Sequence, residues 1–385
     1  MKAFIVWAWI RKIIGYLVAF CLLGIFFMFL VFWYMFGRAA ALPNFIHTYY
    51  IATQNFIEPV SKTSLWDGLT KGLIGALDEK HSLYLTKEDF TSMKEETAAS
   101  YAGIGVVIGQ TDSGIVAAHV MEDQPAEKAG LKDGDIILAV DGQSTEGMAL
   151  DKVSSAIRGK AGTTVTLTVS RNGEKLDLPI VRDKVVMPTV RSRMLTDHIG
   201  YIRVSQFAEP TGEDFAEQYK ALKAQGMTRL ILDLRNNPGG LVTTAAAIAN
   251  YILPQGPFVT VQARGGPIEA YESQGLEEPI PLVVLMNKNS ASASEIIAGA
   301  VQDEGVGKIL GTQSYGKGTV QAVLHNLAGE AVKVTIAKYH TPKDRVIDGI
   351  GITPDIEFPL PEGVRIDWKT NDPQIEKAIE VIKTL

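Results

Sequence analysis

The chain has 385 residues, a formal net charge of −6 and 46% hydrophobic residues, more than one ordinary core organises, so two or three domains are expected. Its acidic balance and the lack of a basic stripe exclude nucleic-acid binding. Cys21 is the single cysteine, which excludes an intramolecular disulfide and a cysteine-rich metal centre, and the six histidines are scattered without HExxH-like spacing, so no metal or cofactor is expected.

Residues 1–12 carry Lys2, Arg11 and Lys12 and precede an uncharged apolar run at 13–36, 24 residues long. A helix of that length spans roughly 36 Å, against a bilayer core of about 30 Å. Cleaved signals have apolar cores of only about 7–15 residues. The run is therefore expected to be an uncleaved transmembrane anchor, with Ala39-Ala40-Ala41 as the alternative, a cleavage site. Three cations before the run against Arg38 after it place the N-terminus in the cytoplasm and the rest outside it. Trp33 and Tyr34 suit an interfacial belt.

Residues 43–100 read as helical. Ile46, Tyr49, Tyr50 and Thr53 share one face, Leu65, Leu69, Leu73 and Leu77 another, and Pro59 separates the two. A polar turn from Leu77 to Ser82 follows; its His81 reads as a capping or packing histidine, with a catalytic role as the alternative. Residues 101–183 read as a separate small unit. The Gly-punctuated Gly103-Ile104-Gly105-Val106 runs into a strand, 114–120 forms another, and Pro125-Ala126-Glu127-Lys128 starts a short helix. A strand at 136–140 ends in the hairpin signal Asp141-Gly142, and a helix carries Leu150, Val153 and Ile157 on one face. Two strands joined through Asn172-Gly173 close the unit. From 184 to 385 strands and helices alternate, as in α/β folds. Strands are expected at 199–204, 230–234, 281–286 and 332–338, and helices at 212–224, 242–251, 294–302 and from 373.

The chemistry-bearing residues sit at strand ends. Ser290-Ala291-Ser292-Ala293-Ser294-Glu295 follows the buried strand at 281–286 and opens a helix. Helix N–H groups there favour developing negative charge, which makes the Ala293 N–H a candidate oxyanion donor. Asn236-Asn237-Pro238-Gly239-Gly240 follows another buried strand, and its glycines let backbone N–H groups approach a reacting carbonyl. Lys317 lies between Gly316 and Gly318, with Gln321 four residues on. A serine hydroxyl needs a base, and lysine serves only when desolvation lowers its pKa. Residue types alone leave Ser290, Ser292 and Ser294 equivalent, and they leave Gly-Lys-Gly and Asn-Pro-Gly-Gly open to reading as plain turns.

Seven stretches in order resemble the C-terminal processing peptidases, or tail-specific proteases. They are GALDEKHSLYL (75–85), GIGV (103–106), AEKAGLKDGD (126–135), DLRNNPGG (233–240), SASASEIIAGA (290–300), YGKGTVQ (315–321) and GIGITPD (349–355). The resemblance implies Ser292 as nucleophile, Lys317 as general base and Gln321 as its orienting partner. It implies an oxyanion hole from Gly239 or Gly240 with Ala293. The fold implied is an α/β protease core, a mixed sheet with flanking helices over 184–385. Inserted before it would be a PDZ domain, a partly open β-barrel plus two helices over 101–183. An N-terminal helical region (43–100) and the transmembrane helix precede them.

In that PDZ domain Gly103, Ile104, Gly105 and Val106 would hold a peptide's terminal carboxylate. Leu150, Val153 and Ile157 would line the groove, and Ile157 is equally readable as core. Arg158 is a candidate reporter of peptide occupancy, or a solvated surface arginine. The implied protein is a single-pass inner-membrane serine endopeptidase with its catalytic part extracytoplasmic, acting on unstructured C-terminal tails without a cofactor. An adaptor and a homo-oligomer are candidate partners. The rival reading is a non-catalytic PDZ scaffold; a trypsin-like protease is excluded by the missing Gly-x-Ser-Gly-Gly run. One departure stands out. The family's Thr-Pro-Ser-Gly-Arg is Thr341-Pro342-Lys343-Asp344-Arg345 here, which puts the local loop shape in question.

Overall fold

The computed structural model describes residues 2–37, 41–266, 268–275, 279–327 and 329–385 and falls into two compact units, Met1–Ala76 and Leu77–Leu385. Arg38, Ala39 and Ala40, and with them the cleavage-site alternative, lie outside the described residues.

The first unit is helical: α1 (Lys2–Phe36), α2 (Ala41–Asn55) and α3 (Lys62–Gly75). Helix α1 begins well before the apolar run, because nothing in residues 2–12 breaks a helix. Within it Arg11–Val31 is long and apolar enough to cross a membrane, with mean hydropathy 2.7. The Ser61 side chain caps α3 by accepting the Ser64 N–H. Helix α3 ends at Gly75 with Ala76 as its C-cap, so Leu77 falls in the following turn and the expected leucine stripe loses its last member. No described residue of α2 or α3 is buried.

The second unit opens with β1 (Leu83–Leu85), α4 (Lys87–Thr97) and β2 (Ser100–Gly103). A capping box starts α4: the Thr86 hydroxyl accepts the Asp89 N–H, and the Asp89 carboxylate accepts the Thr86 N–H. A small β module follows, with β3 (Val106–Thr111), β4 (Gly114–Val120), α5 (Pro125–Lys128), β5 (Ile136–Val140), β6 (Gln143–Ser144), α6 (Leu150–Ile157), β7 (Thr164–Arg171) and β8 (Glu174–Val181). Its strands order β3-β4-β5-β7-β8, with β6 on β5. Asp141-Gly142 and Asn172-Gly173 take the positive φ pairs (48°, 80°) and (53°, 85°) that two-residue hairpins require. Ile137, Val165, Leu167 and Val169 of the strands pack with Val153 of α6 in one core. Strand β9 (Asp183–Val186) pairs antiparallel with β2, so the chain enters and leaves the module side by side.

The remainder is a sheet wrapped on both faces. Its strands are β10 (Val190–Met194), β11 (Ile199–Val204), β12 (Arg229–Asp233), β15 (Leu282–Met286), β16 (Gly307–Gly311) and β19 (Ile356–Glu357). Between them run α7 (Thr211–Ala224), α8 (Val242–Ile252), the strands β13 (Gly256–Ala263) and β14 (Ile268–Ser273), α9 (Ala293–Glu304), β17 (Thr319–His325) and β18 (Ala331–His340); α10 (Pro373–Ile382) ends the chain. The order is β10-β11-β12-β15-β16-β19, antiparallel at β10 and parallel elsewhere. Alternation along the strands serves both faces. Leu230, Leu232 and Val284 pack against α7, α8 and α9, whereas Ile231, Val283 and Leu285 meet Ile375, Ala378 and Ile382 of α10. Each such side chain contributes about 1.5–3 kcal/mol when fully buried.

A second sheet, β1-β18-β13-β14 with β17 also on β18, is antiparallel throughout. The sequence reading missed β13, β14 and β17, as it missed β10, β16 and β19 of the first sheet. Strand β18 carries β17 on one edge and β1 on the other. That arrangement brings the turn at 78–82 alongside Gln321 and Lys317.

Candidate active site

Ser292 sits at the N-terminus of α9 with φ 54° and ψ −116°, a left-handed backbone that costs a non-glycine residue about 1–3 kcal/mol. Its neighbours hold it there. The Glu295 carboxylate, fully buried, accepts the Ser292 N–H at 2.8 Å. The same carboxylate accepts the Lys317 N–H at 2.8 Å, the Gly316 N–H at 2.6 Å and the Ser314 hydroxyl at 2.5 Å. Four donors on one buried acid tie the serine turn to the lysine loop. Sequence reasoning missed this role; the only signal was an acid three residues after the serine.

Geometry separates the three serines. Ser290 Oγ donates to the Leu234 carbonyl and Ser294 Oγ to the Asn237 carbonyl, and both residues are fully buried. The Ser292 hydroxyl donates to no acceptor among the described residues.

The Asn-Pro-Gly-Gly loop lies directly against this turn. A Cβ on Gly239 would stand 2.7 Å from Ser292 Cβ and 2.9 Å from the Ala293 nitrogen. Gly239 N–H is already taken by Asn237 Oδ1 at 2.8 Å. Among the described residues the N–H groups of Gly240 and Ala293 have no acceptor. The loop's base is fixed by a buried ionic cluster. Arg235 donates to both Asp233 oxygens and to Gln374, and it pairs with Asp372. Tyr201 OH donates to Asp233 at 2.6 Å. Burial alone would raise the Asp233 pKa; Arg235 outweighs it and the net shift is downward. Removing one partner of such a cluster costs about 3–5 kcal/mol.

The Gly-Lys-Gly run is no solvated turn. A Cβ on Gly318 would meet the Asp348 nitrogen at 2.2 Å, and Gly316, at φ 87°, packs on the backbone of 349–351. Gly349 N–H donates to the Gly316 carbonyl at 2.9 Å, so the Gly349-Ile350-Gly351 stretch buttresses the lysine loop. Lys317 is half-buried and its amine makes no hydrogen bond or ion pair among the described residues. Burial first, then the nearby Lys333 ammonium, lower its pKa, while Glu79 and Glu295 oppose them. The amine and Ser292 Oγ are not hydrogen-bonded to each other. Nor does Gln321 reach Lys317: its Nε2 donates to Thr319 Oγ1 at 2.8 Å and to Thr335 Oγ1 at 3.2 Å. His81, read from sequence as a capping or packing residue with a catalytic role as the alternative, stands beside Lys317. Burial and the lysine's charge lower the His81 pKa, and its buried Nε2 has no partner.

Residues 198–358 match the model of Peptidase family S41 and residues 91–170 that of the PDZ domain. A carboxy-terminal-processing protease of Bartonella bacilliformis is 38% identical over 309 residues, 77% of this chain and 71% of that one. The carboxy-terminal processing protease CtpA of Bacillus subtilis is 34% identical over 321 residues, 83% and 69% of the two chains. Among solved structures, the photosystem II D1 C-terminal processing protease aligns with TM-score 0.51 and 28% identity over 85% of this chain and 89% of that one. The chain belongs to the carboxy-terminal processing proteases of family S41. It is a serine-type peptidase that carries a PDZ domain.

In this protease β3 is an edge strand, bonded among the described residues only to β4, and α6 lies against it. A cavity of about 880 Å³ opens there, lined by Tyr101, Val106, Ile108, Leu150 and Arg158 and walled by Glu95 and Glu96 of α4. Gly103, Ile104 and Ile157 line a smaller recess of about 40 Å³. Gly105 takes φ 78°. Val153 lies fully buried in the module core and lines neither cavity, so of the three expected groove residues it is a packing residue. Ile157 belongs to both the core and the recess. The Arg158 guanidinium stacks over the Tyr101 ring at 5.1 Å. Arg182, unnoticed in the sequence, caps the end of α6 by donating to the Ile157 and Ala156 carbonyls.

At the 341–345 departure the chain forms a turn, in which the Asp344 N–H donates to the Thr341 carbonyl at 2.8 Å. Asp344 adopts φ 59°, where the family pattern has glycine, and its carboxylate pairs with His340 Nδ1 at 2.5 Å. Arg345 meanwhile pairs with Asp303 at 2.6 Å.

Proposed function

We propose that the protease is a membrane-anchored, extracytoplasmic endopeptidase that cleaves polypeptides presented by unstructured C-terminal tails, using Ser292, Lys317 and Gln321. The tail adds as a strand along β3, with its carboxylate on the N–H groups of 103–106 and its last apolar side chain beside Ile104, Leu150 and Ile157. Ser292 Oγ attacks the scissile carbonyl carbon while the neutral Lys317 amine takes the hydroxyl proton. Negative charge on the carbonyl oxygen is met by the N–H groups of Gly240 and Ala293, each worth on the order of 3 kcal/mol. Lys317 then returns the proton to the departing amine, and water hydrolyses the acyl-enzyme. Gln321 orients the lysine amine once substrate has drawn the catalytic side chains together; such bonds are often unmade without substrate. Arg158, stacked at the mouth of the groove, reports tail occupancy.

The observation that carries this reading is the singular state of Ser292. It alone of three serines has a hydroxyl that donates to no acceptor among the described residues, on a left-handed turn bolted through Glu295 to the loop of a half-buried lysine. Its test is cleavage of a tailed, unstructured substrate by the full chain in detergent. Ser292→Ala and Lys317→Ala each lose cleavage to background, and Arg158→Ala loses only the stimulation by added tail peptide. Full activity in either of the first two variants would remove the mechanism and favour the PDZ scaffold.

A further inference from the structure

Glu79 lies in the turn before β1, far from the catalytic residues in sequence. Its carboxylate accepts three hydrogen bonds, from Ser82 Oγ at 2.7 Å, Thr335 Oγ1 at 2.6 Å and the His81 N–H at 3.0 Å. Burial would raise its pKa, but these bonds outweigh burial and bring it down to about 2. Glu79 is therefore ionised throughout the working range and can only accept.

That fixes the polarity of the next group. Thr335 has one hydroxyl proton, and Glu79 takes it. Thr335 Oγ1 is then an acceptor toward Gln321, its cross-strand partner in the β17–β18 register. The Gln321 NH₂ end faces both hydroxyls, with Nε2 3.2 Å from Thr335 Oγ1 and 2.8 Å from Thr319 Oγ1, the polarity that the committed Thr335 proton requires. Turned the other way, its carbonyl would meet the lone pairs of a hydroxyl whose proton is committed. Gln321 Oε1 is left with no partner among the described residues.

We propose that Glu79 is a positioning residue: through Thr335 it sets the Gln321 amide so that the carbonyl end, an acceptor, is presented to the Lys317 amine. The inference rests on the Ser292–Lys317–Gln321 reading above. A carbonyl accepts an N–H of the lysine and aims its lone pair elsewhere, toward the serine proton; an NH₂ end would compete for that lone pair. Glu79 has a second, separable effect. The charged and titratable groups that face Lys317 are Glu79, Lys80 and His81 from the turn, Lys333 from β18 and Glu295 from α9. Losing the Glu79 charge leaves the lysine with more repulsion than attraction, so its pKa falls.

Two variants separate these effects in the full-length protease. Thr335→Val removes the hydroxyl and keeps the Glu79 charge; Glu79→Gln removes the charge and, with it, the fixed polarity. Cleavage of an unstructured fluorogenic peptide ending in two alanines is followed across pH, with thermal midpoints confirming folding. Thr335→Val is expected to lower kcat by about tenfold, the value of one oriented hydrogen bond, with KM and the pH of the rising limb unchanged. Thr335→Ser restores kcat. Glu79→Gln lowers kcat similarly and moves the rising limb to lower pH. In a Gln321→Ala background Thr335→Val has no further effect.

Wild-type kcat in Thr335→Val and Glu79→Gln, or the same loss for Thr335→Val with and without Gln321, would overturn the proposal. So would a Gln321→Ala variant as active as wild type. Activity in Ser292→Ala would instead defeat the catalytic reading itself, independently of the cycle.

Discussion

Gly239→Ala asks whether the Asn-Pro-Gly-Gly loop is built against Ser292, the proposed nucleophile. At φ 96° an alanine there is strained, and its Cβ would lie 2.6 Å from the Ala291 carbonyl oxygen, 2.7 Å from Ser292 Cβ and 2.9 Å from the Ala293 nitrogen. Reaching the 3.4 Å of an ordinary contact from 2.6 Å needs about 0.8 Å of movement, and the obstructing atoms are mostly backbone. Gly363→Ala isolates the strain, because Gly363 has φ 82° and nothing within 4 Å of a built Cβ. The control should cost about 1 kcal/mol; Gly239→Ala adds overpacking of about 1–3 kcal/mol. At about 2–4 °C per kcal/mol for a domain of this size, the thermal midpoint falls by about 3 °C in the control and about 10 °C in Gly239→Ala. A misplacement near 1 Å in the reacting geometry costs about 10²-fold in rate, so kcat drops by that factor in Gly239→Ala and holds in Gly363→Ala. Thermal unfolding followed by fluorescence, together with tailed-peptide cleavage, measures both. Equal midpoints for the two variants with undiminished kcat would refute the placement of the loop.

Three further outcomes follow from the electrostatics and the backbone. In the proposed mechanism activity requires a neutral Lys317, so it should rise with pH through a pKa depressed below the ordinary 10.5 by burial and by Lys333. In Lys333→Met the ammonium form is less disfavoured, and the rising limb of the kcat profile moves to higher pH; an unmoved limb counts against the lysine base. Glu79, depressed from 4.5 to about 2, contributes stability that is present above its unfolded pKa and lost as pH falls from about 4.5 toward 2. Acid unfolding of Glu79→Gln should therefore be less steep across that window than that of wild type. At the 341–345 turn, Asp344→Gly should leave the stability within about 1 kcal/mol of wild type, whereas Asp344→Val, β-branched at φ 59°, should cost about 1–3 kcal/mol. Comparable stabilities for the two would show that the turn does not hold that conformation.

Features that depend on neighbours in sequence were legible. The hairpins at Asp141-Gly142 and Asn172-Gly173, the strand–turn–helix around Ser292 and the buried strands β11, β12 and β15 follow from local backbone preference and from apolar runs. The strands β13, β14 and β17 were not legible. Every residue of β14 before Ser273 is exposed, so no alternation marks it, and its place is set by pairing with a partner strand. Val153 shows the same limit: a helical apolar face points inward, but which of its members meets the groove and which the core depends on where the strands lie.

The sequence by itself determined the family, the order of the domains and the candidates for nucleophile, base and oxyanion donors, because each is carried by a short run whose chemistry is local. Only the tertiary structure decided which of three serines keeps a free hydroxyl, that Glu295 clamps two loops, and that a turn 256 residues away from Thr335 reaches the Gln321 amide. Hydrogen-bond commitment and charge depend on distances in space, and two edges of one long strand, β18, set those distances.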